Sequence, residues 1–212
     1  MPEDRARMLF IGNSFTTKND LPDLLRGIAQ AGQGITIESR VIAAGGASLR
    51  RHWNAGAARA IANAGWDYVV LQEQSTLPVK NSRRFHENVR EFVPAIKESG
   101  ARMVLFMTWA RKNEPGNQRL LTDSYNQIGE ELGATVVPVG TAWQLLLAKH
   151  DRPALHAADG SHPTIAGSYL AACTFYATLF RGDPAKVEIE VGNLTSGERE
   201  LLQHIAGTAC QQ

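Results

Sequence analysis

The chain has 212 residues, enough to bury a substantial core, and its 43% apolar and 20% charged content is that of an ordinary globular protein, which excludes a disordered or fibrous chain. Twenty-two basic residues against 21 acidic ones leave a formal net charge of +1, so no global field draws nucleic acid or an anionic membrane, and neither is an expected partner. Two cysteines, Cys173 and Cys210, are too few for a disulfide framework and fit a reducing compartment.

At the N-terminus, Met1-Pro2-Glu3-Asp4-Arg5 carries acids and runs at once into a strand-like segment, with no apolar leader ahead of it. A cytoplasmic location is the expectation, a trimmed secreted form being the alternative. No apolar run approaches the length of a membrane span. Met8-Leu9-Phe10-Ile11 reads as the first strand, and Leu21 to Ala31, apolar at helical spacing on one side, as the helix that follows. Strand and helix then alternate along the chain. Ile35 to Ile42 precedes a helix over His52 to Ala64, Tyr68 to Leu71 precedes Arg83 to Ser99, Met103 to Met107 precedes Gln118 to Leu132, and Thr135 to Val139 is the fifth strand. Gly32 and Gly34, Gly65, Gly100 and Gly133 fall just after helical segments, where a left-handed residue closes a helix.

After the fifth strand come a short helix from Thr141 to His150, a polar loop from Asp151 to His162 and an apolar helix from Thr164 to Phe180. A last amphipathic helix follows Thr195, which with Glu198 has the chemistry of a capping box. Apolar runs buried on both faces by crossover helices make a parallel sheet, so the expectation is an α/β fold, a single three-layer α/β/α sandwich over residues 1–212.

In an open parallel sheet the ligand crevice lies beyond the carboxyl ends of the strands. The segments there are Gly12-Asn13-Ser14-Phe15-Thr16, Ala44-Gly45-Gly46-Ala47-Ser48, Gln72-Glu73-Gln74-Ser75 and Thr108-Trp109-Ala110-Arg111, joined later by Asp159-Gly160-Ser161-His162-Pro163. A serine hydroxyl becomes a nucleophile at neutral pH when an imidazole takes its proton, and a carboxylate fixes the imidazole's tautomer. Ser14, His162 and Asp159 supply those types. The developing oxyanion needs fixed donors, and the N–H groups of Ser14 and Gly46 with an amide side chain are the candidates. Asn13, Trp109 and Arg111 are candidate pocket-lining residues, Glu73 reads as a solvated or ion-paired loop acid, and Trp53, Trp66 and Trp143 read as structural.

Two other readings compete. His156, Asp159 and His162, three residues apart, have the types of a metallohydrolase ligand set, although no helix-borne His-Glu-x-x-His occurs and Gly12 to Ser14 would then have no role. A non-catalytic binding module on the same scaffold is the third class. Neither a phosphate loop nor a dinucleotide fingerprint is present.

Gly12-Asn13-Ser14 after the first strand, Gly46-Ala47-Ser48 after the second and Asp159-Gly160-Ser161-His162 near the end resemble the blocks of the SGNH (GDSL-like) hydrolase family. The resemblance implies a flavodoxin-like sandwich of strand order 2-1-3-4-5, no cofactor, and a small-molecule or carbohydrate ester, of short acyl or acetyl type, as substrate. It also implies Ser14 as nucleophile, Gly46 as oxyanion donor and Asp159 with His162 as the rest of a triad. Two positions depart from the family pattern. Asn13 stands where Asp is usual, keeping its size and its ability to brace the turn. Gln72-Glu73-Gln74-Ser75 replaces Gly-x-Asn-Asp, so Gln74, or Gln72 as in some carbohydrate-acetyl esterases of the superfamily, must stand in for the missing asparagine.

Overall fold

The computed structural model describes residues 4–62 and 65–211. Its five strands are Arg5–Gly12 (β1), Thr36–Ala43 (β2), Tyr68–Leu71 (β3), Arg102–Phe106 (β4) and Thr135–Val137 (β5), all parallel, in the order β2-β1-β3-β4-β5. This is the flavodoxin-like order expected. The chain leaves β1 for β2 on one side and returns to β3 on the other, so the exit of β1 is the point where the winding reverses and a crevice opens. Ile11 pairs with both Ile42 and Leu71, which sets Gly12, Ala43 and Gln72 at one level across that opening.

The helices are Ser14–Thr17 (α1), Leu21–Gln33 (α2), Leu49–Asn54 (α3), Ala57–Ala62 (α4), Leu77–Lys80 (α5), Ser82–Ser99 (α6), Asn117–Leu132 (α7), Val139–Leu147 (α8), Ile165–Phe180 (α9) and Ser196–Ala209 (α10). Strand side chains alternate between faces. Met8, Phe10, Val70, Val104 and Phe106 therefore meet α2, α8, α9 and α10 in one core, while Leu9, Ile11, Val69, Leu71 and Leu105 meet α3, α4, α6 and α7 in the other. Helix α9 is apolar nearly all round because α2, α8 and α10 cover it together with the sheet.

Several bounds differ from expectation. The helix expected over His52 to Ala64 begins earlier, where Ser48 Oγ accepts the Arg51 N–H at 3.3 Å, and breaks into α3 and α4 at Gly56, whose φ of +87° no helix can hold. Asn63 and Ala64, at its expected end, and the Met1 to Glu3 stretch lie outside the described residues. β5 stops at Val137 because Pro138 has no N–H to extend a ladder, and α8 starts directly after it instead of at Thr141. Gly32 lies inside α2 and does not close it; Gly34 does. The capping box of Thr195 and Glu198 is present, with both reciprocal bonds. Both cysteines are free. No helix among the described residues is long and apolar enough to cross a membrane.

At Gly167, near the start of α9, a Cβ would lie 2.5 Å from Trp143 Cζ2 and 2.7 Å from the Leu155 carbonyl oxygen. Both neighbours are buried and one is backbone, so Gly167→Ala is expected to destabilise the protein by about 1–3 kcal/mol, read as a lower urea midpoint at unchanged slope.

Candidate active site

The turn leaving β1 is built from short-range bonds. Asn13 caps α1 through Oδ1, which accepts the Phe15 N–H at 3.1 Å, while its Nδ2 donates to the Ala47 carbonyl at 3.0 Å and so ties this turn to the loop after β2. From the other side, Gln72 Oε1 accepts the Asn13 N–H at 2.9 Å and the Thr16 hydroxyl at 3.1 Å. Gly12 is hemmed in between, since a Cβ there would stand 2.6 Å from Thr16 Oγ1 and 2.7 Å from Gln72 Oε1. Its carbonyl accepts a 2.6 Å bond from Nε2 of His52, a buried residue whose pKa burial lowers, in keeping with a neutral ring. Asn13 is itself buried, so it braces the turn and does not line a pocket as expected.

This turn presents Ser14 to the loop that precedes α9. Ser14 Oγ lies 2.9 Å from His162 Nε2, and His162 Nδ1 lies 2.5 Å from Asp159 Oδ2. The other carboxylate oxygen accepts the N–H groups of Ser161 and His162, each at 2.9 Å. The His162 contact, then those two N–H groups, hold the half-exposed Asp159 carboxyl well below the usual carboxylate range. Asp159 therefore stays ionised throughout the neutral and mildly acidic range.

The loop is held by its neighbours. Lys112 N–H donates to the Gly160 carbonyl at 2.9 Å, Trp109 Nε1 to the Ser161 carbonyl at 3.0 Å, His156 Nε2 to the Ala110 carbonyl at 2.9 Å and Asn19 Nδ2 to the Pro163 carbonyl at 3.2 Å. Trp109 is buried in a column of rings, stacked on Trp143 with centroids 3.9 Å apart and on Phe15 at 4.7 Å, and Phe15 meets the His162 ring edge-on at 5.5 Å. Trp109 and Arg111 line a cavity of about 350 Å³ with Trp143, Leu147 and His156, but neither Ser14 nor His162 borders it, so it is not a pocket at the expected nucleophile. Of the other tryptophans, Trp66 donates to the Ala60 carbonyl and Trp53 packs edge-on against Phe92, as structural residues do.

The backbone N–H of Ser14, and that of Gly46 on the loop that Asn13 ties to the Ser14 turn, have no acceptor among the described residues. Gly46 is exposed and left-handed, with φ of +62°. The two glutamines differ. Gln72 is engaged at both ends, its amide nitrogen donating to the Glu73 carbonyl and its oxygen bracing the turn. Gln74 Oε1 accepts the Thr76 N–H, the Thr76 hydroxyl and the Leu77 N–H, each at 3.0 Å, which leaves its NH₂ without an acceptor among the described residues.

Glu73 corrects an expectation. It is fully buried, not a solvated loop acid: Oε1 accepts the N–H groups of Gln74 at 2.7 Å and Leu49 at 3.1 Å, and Oε2 accepts Asn88 Nδ2 at 2.8 Å. Burial raises its pKa, offset in part by those three donors and by the Arg50 charge. The metal-ligand set does not assemble, because His156 Nε2 faces the Ala110 carbonyl and both ring nitrogens of His162 are taken by Ser14 and Asp159. Among the described residues no three His, Cys, Asp or Glu side chains come together as a metal site.

The chain is 32% identical to a candidate SGNH hydrolase from Slackia heliotrinireducens, covering 83% of this chain and 100% of that one, with a TM-score of 0.71. The chain belongs to the SGNH hydrolase superfamily. A DUF4886 family protein from Bacteroides uniformis shares the fold over 98% of this chain and 95% of its own, at 22% identity and a TM-score of 0.86. An acetylxylan esterase from Geobacillus stearothermophilus does so over 84% and 96%, at 19% identity and a TM-score of 0.67. No family model and no curated protein matches the chain.

Within that superfamily, Asn13 is informative because its Nδ2 donor has a use that a carboxylate could not serve. Asn13→Asp would set an anionic oxygen against the Ala47 carbonyl in a buried position. The variant is expected to lose about 1–3 kcal/mol of stability, measured by denaturant unfolding at pH 8, and to recover part of it as falling pH protonates the new acid.

Proposed function

We propose that the protein is an ester hydrolase that works by acyl transfer onto Ser14, in a single catalytic domain of residues 1–212 that needs no cofactor. One observation carries the reading: the bonded chain Ser14 Oγ, His162 Nε2 and Nδ1, Asp159 Oδ2. Ser14 Oγ attacks the ester carbonyl while His162 Nε2 takes its proton. Asp159 keeps Nδ1 protonated and stabilises the imidazolium that forms. The N–H groups of Ser14 and Gly46, with the Gln74 amide, receive the oxyanion. His162 then returns the proton to the departing alcohol and activates the water that releases the acid.

The substrate class is a short acyl or acetyl ester of a small-molecule or carbohydrate alcohol. The likeness in fold to the acetylxylan esterase supports it, as does the exposure of the Gly46 side of the site, which leaves room for a bulky alcohol.

Ser14→Ala is expected to abolish hydrolysis of 4-nitrophenyl acetate with the fold intact by circular dichroism; turnover at the wild-type rate would remove the assignment. Because triad members act as a unit, adding His162→Ala to Ser14→Ala should cost little more than either alone. Gln74→Glu keeps the oxygen that holds the turn and replaces the free NH₂ by an acceptor, so it should lower kcat by about 100-fold or more. A near-normal rate in that variant would exclude Gln74 as an oxyanion donor.

A further inference from the structure

The oxyanion donors invoked above sit on two separate loops. Gly46 follows β2 and Gln74 follows β3, and β1, which carries Ser14, lies between those strands. A hole built across three strand exits needs something that fixes its two outer walls relative to each other. The carboxylate of Glu73 spans them: one oxygen, Oε1, accepts both the Leu49 N–H, three residues after Gly46, and the Gln74 N–H. We propose that Glu73 is a positioning residue that sets the width of the oxyanion hole by joining the loop after β2 to the loop after β3. This inference rests on the acyl-transfer reading of Ser14.

The chemistry of the position favours a carboxylate. Three N–H donors converge on it from Leu49, Gln74 and Asn88, so the group must be acceptor-only and have two oxygens. Asn88 cannot turn its own oxygen towards position 73, because its Oδ1 accepts Arg50 Nε at 3.2 Å and Arg50 Nη1 is paired with Glu91 at 2.7 Å. Glutamine at position 73 would therefore keep one oxygen for the two backbone N–H groups but set its NH₂ against that of Asn88. Aspartate would fall one methylene short of donors on two loops. Glu73 is fully buried and takes no part in proton transfer, so its contribution acts through the donors it holds. The backbone of Gly12 is fixed independently by His52 of α3, the helix whose first N–H is the one Glu73 holds. The nucleophile turn and the two oxyanion loops are thereby referred to one short helix.

The test compares Glu73→Gln with the wild type on 4-nitrophenyl acetate, well below the melting temperature of both. The clash of the variant's NH₂ with that of Asn88 pushes the side chain, and the bridging oxygen with it, out of place, which should lower kcat by about 10- to 100-fold. KM should change by less than about twofold, since substrate binding is untouched. The affinity of an alkyl trifluoromethyl ketone, which forms a tetrahedral adduct with the nucleophile, should fall by the same factor as kcat/KM. A folded variant with wild-type kcat, even at a lower melting temperature, would overturn the assignment, as would a loss confined to KM. Should Glu73→Gln fail to fold, Glu73→Asp, which stays acceptor-only but falls one methylene short of the two loops, decides: reduced kcat at unchanged KM supports the role and unchanged kcat overturns it. Ser14→Ala run alongside separates the two levels. Turnover surviving there overturns the acyl-transfer reading itself, whereas turnover lost there but intact in Glu73→Gln overturns the role of Glu73 alone.

Discussion

The 2.9 Å contact between Ser14 Oγ and His162 Nε2 joins residues 148 apart in the chain, and most of what is distinctive in this structure serves to hold it. The loop from Asp151 to His162 anchors its first half in the core through Leu155, but its catalytic half, Asp159 to His162, has no apolar side chain to fix it. It is fixed by hydrogen bonds to backbone carbonyls on both flanks and by a ring column that ends against the His162 imidazole. Hydrogen bonds of this kind contribute about 1 kcal/mol each, so no single one secures the loop, and their convergence from the segment after β4 and from Asn19, just after α1, does.

Beneath the strand exits the design is different. The polar side chains there, Asn13, Gln72, Glu73, His52 and Asn88, are buried, and each has partners that match its donors and acceptors. A buried carboxylate is costly unless its lone pairs are filled, and Glu73 fills them with two backbone N–H groups and an amide. Such networks tolerate little change because removing one member strands the others in a low-dielectric interior. The site thus has a solvated wall, where Asp159 is half-exposed, and a buried wall that sets its geometry.

Much of this was legible in the sequence, for local reasons. Five short apolar runs separated by amphipathic segments predict a parallel sheet, and the rule that ligands sit beyond strand ends leads to Ser14, Gly46 and the Asp159–His162 pair without any tertiary information. What was hidden depends on partners far away in the chain. Glu73 reads as a loop acid because its donors Leu49 and Asn88 lie 24 and 15 residues away. His52 reads as an ordinary helix residue because the carbonyl it braces is 40 residues distant. Gln72 and Gln74 differ in what their amide nitrogens already bond, a matter of side-chain orientation on which spacing is silent. The break at Gly56 does have a local signal, a glycine inside a helical pattern.

The ring column has an optical consequence. Trp109 and Trp143 stack at 3.9 Å with their planes within 4° of parallel, close enough for their excited states to couple. The same Trp109 indole holds the loop of His162 through its Nε1. Any loosening of that loop must therefore pull apart a coupled chromophore pair, so the near-ultraviolet circular dichroism and tryptophan emission of the protein carry a built-in, label-free report of whether the imidazole is seated.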